Sequence, residues 1–111
     1  MSKTPVNIKS ILCDYLEQSH KGEAAAISST ELERIFHVKG TIIRMVVNTL
    51  RCESKPICSN AQGYFYAATR GEIQETIAQL TSRIHKISKA RDGLLNYLDE
   101  RSEQHGKQEL D

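Results

Sequence analysis

The fold is decided by residues 27–51, whose sequence is ISSTELERIFHVKGTIIRMVVNTLR. Ser28 is followed three residues later by Glu31, which is the spacing of a capping box at the start of a helix. An apolar stripe with helical spacing comes next, at Leu32, Ile35 and Phe36. The pattern predicts a short first helix in this stretch.

A turn and a second helix follow. Residues 37–40 break the helical spacing, and Gly40 is predicted to adopt the left-handed conformation that glycine takes without strain. The buried side of the second helix is predicted at Ile43, Val46, Val47 and Leu50. The outward side is predicted at Thr41, Ile42, Arg44, Met45, Asn48 and Arg51. Together the two helices predict a helix-turn-helix, in which the second helix is the one that lies in a DNA major groove.

An earlier helix is predicted from Thr4, as its N-cap, and Pro5 to a position near His20, with Gly22 as the stop signal. Its buried face is predicted at Ile8, Ile11, Leu12, Tyr15 and Leu16. The segment 23–26 is predicted as a loop that leads into a short strand at residues 26–27.

Two short apolar runs, residues 56–59 and 64–67, flank the turn sequence Asn-Ala-Gln-Gly at residues 60–63. This pattern predicts a β-hairpin. Alternation along the strands directs Ile57, Tyr64 and Tyr66 towards the helices. It leaves Cys58 and Phe65 on the outer face.

The order helix, strand, helix, helix, hairpin is that of a winged helix. On these motifs, the chain resembles the winged-helix DNA-binding proteins of bacteriophages and prophages over about residues 5–90. The resemblance rests on residues 27–29, the helix 40–51 and the wing residues 56–60 and 63–65. It implies a DNA-binding role, and members of that family often continue from the wing into a long charged helix.

Such a helix is predicted here from Thr69, which forms a capping box with Glu72, to residue 102. Its apolar stripe recurs in steps of four and three, with one charged interruption, at Ile73, Ile77, Leu80, Ile84, Ile87, Arg91, Leu94 and Leu98. This coiled-coil-like spacing predicts a homodimer. The predicted divisions are therefore a winged helix-turn-helix domain at 1–68, a dimerisation helix at 69–102 and a disordered tail at 103–111, in a chain that is mainly α with a small β hairpin.

Composition favours a soluble, cytoplasmic, non-enzymatic protein. The 111 residues have a net charge of +1, but residues 28–70 carry six Lys or Arg against three Asp or Glu. Cys13, Cys52 and Cys58 lack the spacing of a zinc site, and no catalytic constellation, cofactor motif or metal-ligand cluster is recognisable. No apolar run approaches the roughly 20 residues that a membrane span needs.

The residues predicted to bind double-stranded DNA are Lys39, Thr41, Arg44, Met45, Asn48, Arg51, Lys55, Asn60 and Gln62. Arg44 and Asn48 suit guanine and adenine edges, respectively. Lys39, Lys55 and Arg70 suit phosphates. Asn60 and Gln62 can alternatively be interpreted as simple turn residues. Arg44 and Asn48 can alternatively be interpreted as parts of a solvated helix face.

Two functions remain open at this stage. The first is a DNA-binding transcriptional regulator or replication accessory of phage or prophage type. The second is a protein-interaction module, a winged helix that binds a host or defence protein through the apolar Ile42 and Met45. Regulation and replication would use the same reading helix, so the sequence does not choose between them.

Overall fold

The structure is a computed structural model that describes residues 7–105, with side chains described to Arg101. This part of the chain is mainly helical, with a small antiparallel hairpin and a long C-terminal helix. Its elements are α1 (Ile8–Ser19), a 3-10 turn (Glu23–Ala25), α2 (Ser29–Phe36), α3 (Gly40–Cys52), β1 (Ile57–Asn60), β2 (Gly63–Tyr66) and α4 (Arg70–His105). The chain divides into two compact units, residues 1–76 and 77–111.

Helix α1 supplies one wall of the core of the first unit. The side chains that it buries are those of Ile8, Leu12, Cys13 and Leu16. Tyr15 is half-buried against the same core, but Ile11 is 42% exposed, so its predicted place in the buried face is wrong. The helix ends at Ser19, close to the predicted stop near His20. The predicted Thr4 cap and Pro5 start lie outside the described residues.

The segment between α1 and α2 forms a 3-10 turn rather than the predicted loop. The predicted short strand is reduced to a single antiparallel bridge between Ile27 and Tyr64, whose backbone groups exchange bonds of 2.9 and 2.8 Å. A Cβ atom at Gly63 would stand 2.0 Å from the carbonyl oxygen of Ile27. Only glycine therefore allows the hairpin to approach this segment so closely.

Helix α2 begins at its predicted cap, because the Ser28 hydroxyl accepts a 3.1 Å bond from the amide of Glu31. The left-handed residue in the following turn is His37, with φ of 58°, so the prediction for Gly40 is wrong. Gly40 is instead the first residue of α3. A Cβ atom there would lie 2.8 Å from a carboxylate oxygen of Glu33, at the flexible end of a side chain from α2.

Helix α3 runs through the centre of the first unit, and its predicted buried face is confirmed. Its buried residues are Ile43, Val46, Val47 and Leu50. They pack with the buried faces of α1 and α2 and with Ile27 and Ile57. Burial of large aliphatic side chains at this spacing fixes the rotation of α3 about its axis, and so determines which side chains it exposes.

The hairpin pairs Ile57 with Tyr66 and Asn60 with Gly63. Ile57, Tyr64 and Tyr66 face the helices as predicted. Cys58 and Phe65 lie on the other face, but they are only 1% and 3% exposed.

The start of α4 covers that face. Cys58, Phe65 and Ala67 form a second buried cluster, against which Ile73 packs. Thr76 is also buried, and its hydroxyl accepts a 3.3 Å bond from the amide of Ser59. Ile73, which was predicted to belong to the dimerisation stripe, is half-buried against this cluster within the first unit.

Helix α4 begins with the predicted capping box. The amide of Glu72 donates to the Thr69 hydroxyl at 3.2 Å, and the Glu72 carboxylate accepts from the amide of Thr69 at 3.3 Å. The described helix continues to His105, three residues beyond the predicted end at 102. Residues 106–111 of the predicted tail lie outside the described residues.

Candidate nucleic-acid interface

The exposed face of α3 is the candidate reading surface. Thr41, Arg44, Met45 and Asn48 are exposed and recur at helical spacing, opposite the buried face of the same helix. Arg44 and Asn48 stand one turn apart, so a planar donor fork and a side-chain amide project side by side. We refer to these four residues as the α3 face.

One of the two apolar residues predicted on the outward side differs from expectation. Ile42 is half-buried and packs against the core, so it is largely withdrawn from the surface. Met45 is 55% exposed and is the apolar group that the α3 face presents. Of the two apolar residues that favoured a protein partner, only Met45 is freely available.

Arg51 holds the hairpin against α3. Its Nε donates to the carbonyl oxygen of Ile57 at 2.7 Å, and its Nη2 donates to the hydroxyl of Ser59 at 3.2 Å. The guanidinium is half-buried. Arg51 is thus a structural link between α3 and β1, where the sequence pattern had indicated an outward DNA contact. A basic residue on the last turn of a helix, a few residues before a strand, is the sequence signal that could have indicated this role.

Cations stand at both ends of α3. Lys39 is the exposed N-cap residue, and its side chain makes no capping bond. Lys55 is exposed just beyond the C-terminal end. Among the described residues, Lys39, Arg44 and Lys55 form no ion pair, whereas Arg34 pairs with Glu31 and Lys9 pairs with Glu53.

The turn of the hairpin uses Asn60 for its own closure. The side-chain oxygen Oδ1 of Asn60 accepts bonds from the backbone amides of Gln62 and Gly63, at 2.9 and 3.1 Å. Its side-chain amide donates to the backbone oxygen of Glu23 at 3.2 Å. These bonds support the interpretation of Asn60 as a turn residue. Gln62 remains exposed at the tip.

Acidic groups limit the positive potential of the site. Glu33 lies beside the first residue of α3 and accepts a 3.2 Å bond from the Ser29 hydroxyl. Its carboxylate is at the end of α3 where the helix dipole favours an anion. A phosphate that approached this end would meet that charge, so Lys39 has to offset Glu33 before it attracts DNA.

Arg70, which was predicted to contact a phosphate, is the first residue of α4 and so belongs to a different helix from the α3 face. Beside it, the carboxylate of Glu72 accepts backbone bonds from Ala68 at 2.7 Å, Glu23 at 3.0 Å and Thr69 at 3.3 Å. These bonds, chiefly that from Ala68, hold the pKa of the Glu72 carboxyl below its usual value. Sequence spacing identified only the Thr69 contact.

The cysteines are suited to packing. Burial raises the pKa of the Cys13 thiol, an effect that the Lys55 charge partly opposes, and burial likewise raises the pKa of the Cys58 thiol. Both thiols are therefore protonated at neutral pH and poorly nucleophilic. Cys52 is exposed, and all three cysteines are free. Within residues 7–101, no group of three or more His, Cys, Asp or Glu side chains is placed to hold a metal ion.

An open groove of about 610 Å3 lies between α1, the 3-10 turn and α2. Tyr15, His20, Ile27 and Ile35 are among its lining residues, and none of the residues predicted to bind DNA contributes to it. His20 is engaged there, because its Nδ1 lies 2.8 Å from the backbone oxygen of Ala25.

A second candidate surface lies on α4. We define the α4 stripe as Ile77, Leu80, Ile84, Ile87, Leu94 and Leu98. All but the half-buried Leu80 are more than half exposed, and Leu94 reaches 72%. Arg91 interrupts the stripe, and its guanidinium donates to a carboxylate oxygen of Asp92 at 3.0 and 2.8 Å.

Comparison with protein-family models, curated proteins and solved structures finds no match to this chain. In the part of the chain that the structure describes, no helix combines the length and apolar character required to cross a membrane.

Proposed function

We propose that the first unit is a winged helix, that it binds duplex DNA with the α3 face in the major groove, and that the chain acts as a homodimer paired through the α4 stripe. The proposed role is that of a transcriptional regulator or replication accessory of phage or prophage type. The carrying observation is the α3 face, where Arg44 and Asn48 are exposed on a helix whose opposite side is fully packed.

The chemistry of this face suits direct readout of bases. The fork of an arginine matches the two acceptors of guanine, and an asparagine amide matches the donor and acceptor of adenine. The Met45 side chain suits a thymine methyl group. Because the core fixes the rotation of α3, these groups are presented together, which lowers the entropy lost on binding.

The cations near the ends of α3 suit phosphates. The helix has 13 residues, so Lys39 and Lys55 are separated by roughly the 20 Å that its length spans. Phosphates line both sides of a major groove about 12 Å wide. Lysines at each end position the helix without reading sequence.

The rival function is that of a protein-interaction module. Exposure of Met45 and the carboxylate of Glu33 beside the start of α3 favour it, because an apolar group in a weakly charged surface suits a protein partner better than a polyanion.

Selection from a random duplex library at two salt concentrations tests the proposal. A DNA binder enriches a motif with two related halves, and its affinity falls as salt rises because bound counterions are released. Absence of retention even at low salt would favour the protein-interaction module.

Substitutions of the α3 face then test the mode of binding. Arg44→Ala and Asn48→Ala are each expected to lower specific affinity by about 1–3 kcal/mol and to relax preference at one base position. Lys55→Ala should weaken binding to all sequences alike. Lys21→Ala is the matched control, because it removes an exposed positive charge outside the α3 face. If Arg44→Ala preserves both affinity and preference, α3 is not the reading helix.

A further inference from the structure

The exposed surface of the second unit is suited to a helix of the same kind. The α4 stripe is spaced as the a and d positions of a heptad repeat, with Ile77, Ile84 and Leu98 at a and Leu80, Ile87 and Leu94 at d. Its side chains are exposed in the isolated chain. Two such helices would bury one another's stripes over several turns.

Arg91 distinguishes the two possible directions of such a pair. It occupies the a position between Ile84 and Leu98. In a parallel pair in register, each a residue meets the same residue of the other helix, so two Arg91 guanidinium groups would converge in an apolar seam. In an antiparallel pair, a positions meet d positions, and Arg91 lies opposite Ile87 of the second copy while Ile84 lies opposite Leu94.

The charges of this unit point the same way. Residues 77–91 contain four Lys or Arg and no Asp or Glu, which gives a formal charge of +4. Residues 92–101 contain three Asp or Glu and one Arg, which gives −2. A parallel pair would place like halves together, whereas an antiparallel pair places each basic half beside an acidic half. Screening over about 10 Å weakens the contribution of charges on the back of the helix, so Arg83, which flanks the seam, and Arg91, which lies in it, count most.

We infer that α4 pairs with the α4 of a second copy of this chain in the antiparallel direction. The apolar stripe supplies the attraction, and the reversal of charge at residue 91 selects the direction. The inference rests on the dimer that is part of the proposed function, but it does not depend on DNA binding.

Spin labels on single cysteines measure the direction without DNA. The background is Cys52→Ser, since Cys52 is the exposed thiol whereas Cys13 and Cys58 are buried. Ala78→Cys carries the label at an exposed position near one end of the stripe. In the antiparallel pair centred near residue 89, the two labels should be roughly 30–35 Å apart along the axis. In a parallel pair they would be separated by little more than the interaxial distance of about 8–10 Å and the label arms.

Ser88→Cys is the matched control, because it lies near the middle of the stripe and gives a short distance in either direction. A long distance at residue 78 with a short one at residue 88 supports the inference. Short distances at both positions would overturn the direction, and no defined distance at either would overturn the pairing itself. Loss of DNA binding would change none of these readings, so the two proposals fail separately.

Discussion

Glu72 connects three segments of the first unit through one carboxylate. It accepts backbone bonds from Glu23 in the 3-10 turn and from Ala68 and Thr69 before α4. The capping box with Thr69 is visible in the sequence, because its spacing is local. The bond to Glu23 joins residues 49 apart in the chain and follows from tertiary packing alone.

The lowered pKa of Glu72 leads to a prediction about stability and pH. The folded state binds the Glu72 proton less tightly than the unfolded state, so the carboxylate stabilises the fold above the unfolded pKa of about 4.3. This contribution is lost as the pH falls through the lower folded pKa. We therefore expect Glu72→Gln to lower the Tm at pH 7, and the difference from wild type to shrink as the pH falls below about 4.

Thermal unfolding followed by circular dichroism over a series of pH values measures this effect. Glu75→Gln is the matched control, because Glu75 is an exposed carboxylate on the same helix and makes no bond recorded among residues 7–101. Equal losses for the two variants at pH 7 would mean that net charge, and not the backbone bonds of Glu72, is responsible.

Residues also show where local sequence signals fail. Gly40 was predicted from the preference of glycine for positive φ, yet His37 has that conformation and Gly40 starts α3. An added Cβ atom at position 40 would meet the flexible end of the Glu33 side chain, which can move aside at little cost. Arg51 was assigned to the outward side by its helical position, but its long side chain reaches back to the carbonyl of Ile57. Periodicity predicts the direction in which the Cα–Cβ bond points. The end of a long side chain can nevertheless reach a group on another side of the helix.

Elements with strong periodicity were predicted better. The predicted buried side of α3 and the predicted inward residues of the hairpin agree with the structure. In each element the apolar residues follow the period of the helix or strand, so only one face can be buried against the core. The outer face of the hairpin was not predicted to be buried. The first two turns of α4 cover this face. The sequence of the hairpin alone does not indicate that a later helix packs on it. The same contact covers part of the Ile73 side chain, which was predicted to belong to the dimerisation stripe.

The packing of α3 gives a prediction at the scale of this element. Leu50→Ala is expected to reduce the free energy of unfolding by about 2–5 kcal/mol, because the side chain is 2% exposed and its removal leaves a cavity. Met45→Ala on the same helix should change it by less than about 0.5 kcal/mol, since Met45 is 55% exposed. Urea unfolding compares the two variants. Similar losses for both would show that the rotation of α3, and with it the α3 face, is assigned wrongly.

At the scale of the whole molecule, the two units offer different surfaces. The first presents a mainly polar face on α3, and the second presents an apolar stripe on α4. A monomeric protein gains little from a row of exposed isoleucine and leucine side chains, because each keeps its apolar area in water. Pairing of two chains through the α4 stripe would remove that area from water and bring two reading helices into one molecule.

Ile84→Asp tests whether that pairing supports DNA binding. Ile84 is 63% exposed in the single chain. In the proposed dimer, the Ile84 side chain of each copy would be buried in the seam. An aspartate carboxylate in an apolar seam loses its hydration without gaining a partner, so the dimer should dissociate. Because two linked reading helices bind two half-sites with a high effective concentration, affinity for a two-half-site DNA should fall much more than affinity for one half-site.

Light scattering and binding to the two DNA lengths are the measurements, with Ser82→Asp as the control because it adds the same charge to an exposed position outside the stripe. The control should keep the dimer and the preference for two half-sites. If Ile84→Asp lowers the affinity for one half-site as much as the affinity for two half-sites, α4 contributes to DNA binding in some way other than pairing. A wild-type mass near 12.5 kDa at about tens of micromolar protein would show that the chain is a monomer, and the argument from two half-sites would then fail with it.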